Sequence, residues 1–252
     1  MKSIIVIPTY NEQENLPVLV ERIFSSGGGS ASGGALQIPE LSVLVVDDNS
    51  PDGTGEVAEE LAKKFPLKVL HRSRKEGLGT AYVAGFHLAL QAGADYIFEM
   101  DADLSHDPAV ILKMLEMMIS GPSVLSGRLP CDMAIGSRYI PGGRIENWNW
   151  ARRFVSRFGN FYARWILNLP YRDLTGGFKA YRRVVLEKMD LEKLSSTGYN
   201  FQIETTYRAH QLGFKICEIP ITFTERKTGQ SKFSLGIILE SFWRVIQLRF
   251  QK

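Results

Sequence analysis

Cysteine is scarce in this chain: only Cys131 and Cys217 occur in 252 residues. Two cysteines cannot build a disulfide framework, and their spacing matches no zinc site, so a reducing compartment is the expectation. Long apolar runs are missing as well. No window holds about 18 uncharged apolar residues, so no complete membrane span is expected. Before Pro8 the N-terminus offers only Ile4, Ile5, Val6 and Ile7. That run is too short for a secretory signal and reads as a strand, so the protein is expected to stay where it is made. No GxxxxGK[ST] loop occurs, which argues against Walker-type phosphate transfer. No GxGxxG follows the first strand, where Pro8-Thr9-Tyr10-Asn11-Glu12 stands instead. A dinucleotide dehydrogenase is therefore disfavoured. No internal repeat is evident, and no nucleic-acid partner is expected.

What remains is an ordinary globular composition, with 44% hydrophobic and 23% charged residues. Those values exclude a disordered or collagen-like chain. The net charge of +3 hides an asymmetry: residues 1–135 hold 10 Lys/Arg against 18 Asp/Glu, a net of −8, and residues 136–252 hold 20 against 9, a net of +11. An acidic half suits cation handling and a basic half suits anions; a solvated basic face is the plainer reading of the second.

The first half alternates strand and helix. Strands are expected at Ser3–Ile7 (closed by Pro8), Val43–Val46, Leu67–Leu70, Tyr96–Met100 and Met133–Ile135. Helices are expected at Glu14–Phe24, Thr54–Phe65, Thr80–Ala92 and Pro108–Ile119. Such alternation with apolar strands predicts an α/β fold, a mainly parallel sheet with helices on both faces. Residues 25–35 (SSGGGSASGGA) and 121–130 read as surface insertions. In the second half, Trp150–Leu167 reads as a long aromatic and basic helix. A Gly-Gly turn falls within Leu174–Tyr181. Phe201–Leu212 is helical around a buried Glu204. Lys215–Ile219 and Thr222–Thr224 are extended. Ser234–Phe250 is an amphipathic helix carrying Glu240, Arg244 and Arg249.

Three acidic sites each follow an apolar strand: Glu12, the pair Asp47/Asp48, and Asp101/Asp103. A parallel sheet places all three on one edge, where ligands bind. Carboxylates gathered there repel one another unless something positive intervenes, and a divalent cation shared with phosphate oxygens is the economical answer. A lone D-x-D is more often a structural turn; three acidic strand ends together weaken that reading. Gly77-Leu78-Gly79 precedes a helix and reads as a tight turn rather than an anion site. Arg226-Lys227-Thr228-Gly229-Gln230-Ser231-Lys232 carries three cations around a candidate hinge, Gly229. It reads either as a loop closing over a diphosphate or as a solvated basic loop.

The motifs PTYNE (8–12), VVDDNSPDGT (45–54), GLGTAY (77–82), DADLSHDP (101–108) and GSRY (136–139) resemble family-2 glycosyltransferases of the GT-A, Rossmann-like fold. GGRIENW (142–148), DLTGGFKAYRR (173–183), GYNFQIE (198–204) and ERKTGQSKF (225–233) narrow the resemblance to dolichol- or polyprenol-phosphate mannose synthases, from Ile4 to about Lys232. The resemblance implies inverting transfer of mannose from GDP-mannose to a polyprenyl (dolichyl) phosphate, with Mg²⁺ or Mn²⁺. It places Pro8, Tyr10, Glu12, Val46 and Asp48 at the guanosine. Asp101, Ala102 and Asp103 fall at the diphosphate, with Asp103 the principal metal ligand, Asp101 nearer the sugar and the Ala102 backbone beside the ion. Arg138, Arg226 and Lys232 fall at phosphates or on the closing loop, and Arg152 and Ser156 at the lipid phosphate. The catalytic set is Asp101, Asp103 and Arg138.

One departure stands out. Some relatives carry Gln two positions after the second Asp of DAD, where it helps hold the metal. Here that position is Ser105, a weaker ligand. The following His106 is expected at the surface rather than on the ion.

The leading reading is a metal-dependent mannosyltransferase, peripheral at the cytosolic face of a membrane. Residues 1–233 would form the GT-A domain with a basic acceptor side. Residues 234–252 would form an interface helix with Trp243 at the headgroups, or would dock onto the core; a small membrane-anchoring subunit is a further candidate partner. One alternative is a UDP-glucose-dependent polyprenyl-phosphate glucosyltransferase. Another is a non-catalytic nucleotide-sugar-binding subunit that recruits a membrane partner.

Overall fold

The computed structural model describes residues 1–28, 38, 40–121, 130–194, 196, 198–225 and 235–250. Strand β1 (Ser3–Thr9) is buried at all seven positions, the pattern of a strand covered on both faces. It pairs in parallel with β2 (Leu41–Asp47) on one side and β4 (Tyr96–Glu99) on the other. β3 (Leu67–His71) extends the sheet beyond β2, also in parallel. Beyond β4 come β7 (Lys179–Arg182), β5 (Met133–Ser137) and β8 (Ile216–Pro220), giving the order β3-β2-β1-β4-β7-β5-β8. β7 runs antiparallel to both β4 and β5. The sheet is thus mostly parallel, with one reversed strand that the sequence pattern did not announce. β6 (Arg144–Glu146) and β9 (Thr222–Thr224) form a separate parallel pair.

Strand alternation divides the core in two. Ile5, Ile7, Val43, Val45 and Phe98 point to one face, under α1 (Asn15–Gly28), α2 (Thr54–Ala62) and α4 (Val110–Ile119). Ile4, Val6, Leu44, Val46 and Ile97 point to the other, under α3 (Leu78–Gln91) and α6 (Arg183–Lys188). Gly85 sets how closely α3 lies on β1: a Cβ there would fall 2.3 Å from Val6 Cγ1. A third cluster joins α5 (Trp150–Leu167), α7 (Tyr199–Gln211) and α8 (Leu235–Phe250) through Leu167, Ile203, Tyr207, Val245 and Leu248.

Several details differ from the sequence expectation. Pro8 does not close β1; the strand continues to Thr9, with Pro8 opposite Val46. Proline removes one ladder donor but leaves its carbonyl, which a strand tolerates near its end. The stretch 25–35 begins inside α1, which runs to Gly28; the rest of it, and residues 122–129, lie outside the described residues. α5 has the expected bounds because Asn149 caps it, its side chain accepting from Arg152 N. Cys131 and Cys217 form a disulfide, Cα atoms 5.9 Å apart, where free thiols were expected. The parallel pairing of β5 with β8, which sets Ala134 opposite Cys217, brings the two together. Among the described residues no helix is long and apolar enough to cross a membrane.

Candidate active site

A cavity of about 980 Å³ opens beyond the carboxyl ends of β1, β2 and β4 and is walled on its far side by α5, α7 and α8. This is the edge where a parallel sheet offers its loops to a ligand. Of the residues anticipated from the sequence, Pro8, Tyr10, Glu12, Asp48, Asp101, Asp103, Ser105, Arg138, Arg152 and Ser156 all line it. Val46 does not: it is fully buried in the core under α3. Ala102 is buried in the opposite core cluster, so only its backbone is available to the site. Arg226 and Lys232, and with them the loop around Gly229, lie outside the described residues.

The acidic strand ends share an edge but not a task. Asp47 is consumed locally, accepting from Thr9 Oγ1 (3.1 Å), Ser50 Oγ (2.6 Å) and Ser50 N. Asp48 pairs with Arg72 (2.6 Å) and accepts from the backbone N–H groups of Glu76 and Gly77. The start of α3 is therefore already occupied by a carboxylate, in keeping with a turn rather than an anion site. Glu12 accepts from Asn15 Nδ2 at 2.8 Å. Arg72 thus offsets the charge of Asp48, neutral donors hold Asp47, and the end of β4 brings two further carboxylates close together.

There Asp101 accepts from the Tyr82 hydroxyl at 3.1 Å. A Cβ on Gly177 would lie 2.9 Å from Asp101 Oδ2, so glycine leaves the room in which that carboxylate sits. Asp103 Oδ1 accepts from Ser105 N at 3.1 Å. Burial pushes the Asp103 carboxyl above its ordinary range, and the neighbouring Asp101 carboxylate pushes it further. Burial likewise raises the Tyr82 hydroxyl, with Asp101 adding to the shift. Ser105 Oγ is buried and meets no partner among the described residues. His106 is buried rather than at the surface, packed on Phe178 and Phe223 at ring distances of 5.1 and 5.4 Å. Its Nε2 lies 3.8 Å from Asp101 Oδ2, too far for a hydrogen bond. No group of three or more His, Cys, Asp or Glu among the described residues closes around one point. Two crowded carboxylates beside an unpartnered hydroxyl are an incomplete donor set, the kind that suits a hard cation whose other ligands are phosphate oxygens and water.

Across the cavity Arg138 leaves the end of β5 and is almost wholly buried. It grips Asp173 with Nε and Nη2, both at 2.7 Å, and with its backbone N at 2.9 Å. Nη2 also donates to Thr175 Oγ1 at 2.8 Å. Burial alone would lower the guanidinium pKa, but Asp173 outweighs it and the net shift is upward. Asp173 also is held below the ordinary carboxylate range despite burial, because Arg138 is beside it. Arg138 therefore arrives at the cavity already neutralised, fixed in place and stacked near Trp148 and Phe223. Arg152 lies over the Trp148 ring at 4.3 Å and pairs with Glu225. Ser156 Oγ accepts from the Tyr139 hydroxyl at 2.7 Å.

The sequence reading passed over three features. Asp173 looked like one letter of a motif; its role appears only once β5 and the 173–178 loop are adjacent. Lys179 and Glu99 form a buried pair behind Asp101, linked through Tyr181 and Thr205. Desolvation pushes Lys179 down to about 8, and burial raises Glu99, opposed by Lys179 and the Tyr181 hydroxyl. Gln202 lines the cavity with both amide atoms buried, near Glu99.

The architecture is a mixed, mostly parallel α/β sheet with a ligand cavity at the carboxyl edge of its parallel half. Residues 4–190 match the model for "Glycosyl transferase family 2", and the chain belongs to that family. It is 45% identical, over 98% of its length and 86% of the relative's, to the polyprenol monophosphomannose synthase of Mycolicibacterium smegmatis. It is 43% identical, over 96% of its length and 91% of the relative's, to the undecaprenyl-phosphate mannosyltransferase of Micrococcus luteus. Among solved structures it resembles a mannosyltransferase from Pyrobaculum calidifontis in complex with GDP-Man and Mn²⁺. That match has a TM-score of 0.58 at 14% identity, covering 91% of this chain and 58% of the other. At that identity the likeness speaks to the fold alone, which is of the GT-A kind.

Proposed function

We propose that this chain transfers mannose from GDP-mannose to a polyprenyl phosphate with inversion at the sugar carbon. The observation that carries the reading is the convergence of Asp101 and Asp103 with Arg152 and Ser156 on one cavity, in a chain whose relatives named above are lipid-phosphate mannosyltransferases. In this reaction an acceptor phosphate oxygen bonds to the anomeric carbon as the bond from that carbon to the diphosphate breaks. Both electrons of the broken bond depart on GDP. The acceptor phosphate has a second pKa of ~6 and is largely ionised at neutral pH, so no general base is required. Asp101 accordingly positions rather than deprotonates. Tyr82 holds it, and the gap left by Gly177 admits it.

Asp103 and Asp101, with Ser105 Oγ and the Ala102 backbone nearby, would hold Mg²⁺ or Mn²⁺. When bound, such an ion supplies charge neutralisation to the leaving diphosphate. Pro8, Tyr10, Glu12 and Asp48 line the donor end of the cavity and are assigned to the guanosine. Arg152 and Ser156, on the flank of α5 that faces the cavity, are assigned to the acceptor phosphate. Arg152 is held by Glu225 and Trp148, and such preorganisation in line with the donor is the main rate contribution open to these residues. The lipid tail leaves along α5 and α8, with the protein lying on the bilayer surface. Incubation with polyprenyl phosphate and either GDP-mannose or UDP-glucose, each with Mg²⁺ and with EDTA, tests the reading. Metal-dependent mannosyl lipid is expected. Glucosyl lipid would overturn the donor, and nucleotide binding without product would overturn the activity.

A further inference from the structure

Helix α5 carries a different chemistry on each of its flanks. Arg152, Val155, Ser156, Gly159 and Tyr162 face the transfer cavity. Asn160, Ala163 and Leu167 are buried against the body of the protein. Trp150, Phe154, Phe158, Phe161 and Trp165 recur at helical spacing and are exposed, Trp150 at 82% and Trp165 at 73%. The remaining flank carries Arg157 and Arg164, on the side of the aromatic stripe away from the transfer cavity.

That last flank forms one wall of a second cleft, of about 560 Å³, which Arg172 and Arg138 also line. Arg138 is neutralised there by Asp173. Arg157, Arg164 and Arg172 form no ion pair with any described carboxylate. Arg164 Nε is buried and meets no hydrogen-bond partner among the described residues. Glu218, beside the cleft, accepts from the backbone N–H groups of Arg172 and Asp173 and from Ser137 Oγ and pairs with none of the three guanidinium groups. The three guanidinium groups line one cleft without a carboxylate paired to any of them among the described residues, and the Arg164 Nε is desolvated. An anion seated there would offset the repulsion among them and give that N–H an acceptor. Guanidinium forks match phosphate oxygens in particular, two parallel N–H groups to each pair.

We propose that this cleft, which adjoins the transfer cavity across Arg138, is a second phosphate-binding site, and that it takes the phosphodiester headgroup of an anionic bilayer lipid. The aromatic stripe decides the source. A free phosphate would need only the arginines, whereas a row of exposed Trp and Phe beside them suits the headgroup–acyl boundary, with cations at headgroup level. Occupancy would fix the roll of α5 about its axis and so aim the cavity flank of the same helix. The site rests on geometry outside the transfer cavity and stands whichever sugar is transferred.

The test is sedimentation of the full chain with vesicles of phosphatidylcholine containing phosphatidylglycerol. The variants are the triple R157Q/R164Q/R172Q and a charge-matched control at the β3 edge, the other end of the sheet, K63Q/K64Q/K68Q. Each arginine near an anionic surface is worth about fivefold in partitioning, so the arginine triple should lose about 100-fold. The control should lose no more than its share of net charge. Thermal melts establish that both variants fold, and transfer to a short-chain acceptor in detergent should be unchanged in both. Equal losses in the two triples, or an arginine triple within twofold of wild type, would overturn the site. Inorganic phosphate at millimolar concentration that binds wild type but not the triple, while vesicle binding stays equal, would overturn the lipid as its occupant.

Discussion

Replacing Asp173 by Asn tests the account of Arg138 most directly. Asp173 is fully buried and Arg138 nearly so, and three hydrogen bonds join them. Asparagine has nearly the same shape. It keeps one oxygen, enough for the bonds from the Arg138 backbone N and Nε, but turns an NH₂ group toward Nη2, where two donors then meet. It also leaves the guanidinium without its counter-charge. Two opposite charges about 4 Å apart attract by about 4 kcal/mol at an effective dielectric near 20. Removing one member of a buried pair costs about 3–5 kcal/mol when measured by mutation. The two routes agree, and at about 2–4 °C per kcal/mol for a chain of this size the melting point should fall by about 6–20 °C.

The measurement is urea denaturation of wild type, D173N, R138M and the double variant R138M/D173L. Because apolar replacement of both members of a buried pair is often nearly neutral, the double variant should be more stable than either single one. A D173N loss below about 1 kcal/mol, or a double variant as weak as the sum of its singles, would refute the pairing argument. The pH dependence supplies a second check. Arg138 holds Asp173 below the ordinary value of 3.8, so its contribution is present above that value and disappears as pH falls through the lower folded-state value. The gap between wild type and D173N should stay constant from pH 7 to about pH 5 and close only in strong acid.

Gly177→Ala should separate stability from activity. Its Cβ meets only the end of the Asp101 side chain, so the fold should lose under about 1 kcal/mol. A displaced carboxylate should still lower kcat by tenfold or more, read from initial rates beside a thermal melt; parallel loss of folding would sink the idea. Mn²⁺ should raise the melting temperature of wild type and leave Asp103→Asn unmoved, and EDTA should reverse the rise; equal rises would remove Asp103 from the metal. Lys179, depressed from 10.5 to about 8 by burial, binds its proton more readily in the unfolded chain between those values. Its contribution therefore makes stability rise with pH across that window, by a few kcal/mol at most. The difference in unfolding free energy between wild type and Lys179→Met, followed from pH 7.5 to 10, should grow with pH; a flat difference would mean that Lys179 is not desolvated in solution.

The parts of the fold that were legible from the sequence are those where local pattern and global position agree. Alternating apolar strands and helices located β1 to β5, and three acidic strand ends located the cavity edge. What escaped was everything set by pairing across long sequence separations. β7 reads Lys-Ala-Tyr-Arg, with no apolar run to mark it as a strand, and its place between β4 and β5, antiparallel to both, is set by distant segments. His106 was expected at the surface, yet Phe178 and Phe223, from distant segments, enclose it.

Helix α8 shows the same limit. Its apolar spacing and its Trp243 suit an interface helix. Yet Val245 and Leu248 are buried against α5 and α7, Tyr162 donates to the carbonyl of Phe242, and Ser241 and Phe242 line the cavity. An amphipathic pattern says that one face is covered and does not say by what. α5 presents that ambiguity around its whole circumference. One spacing rule places Ser156 at the cavity, Ala163 in the core, Phe161 outside and Arg164 in the second cleft. Only the neighbours of each flank, supplied by the folded chain, tell these positions apart.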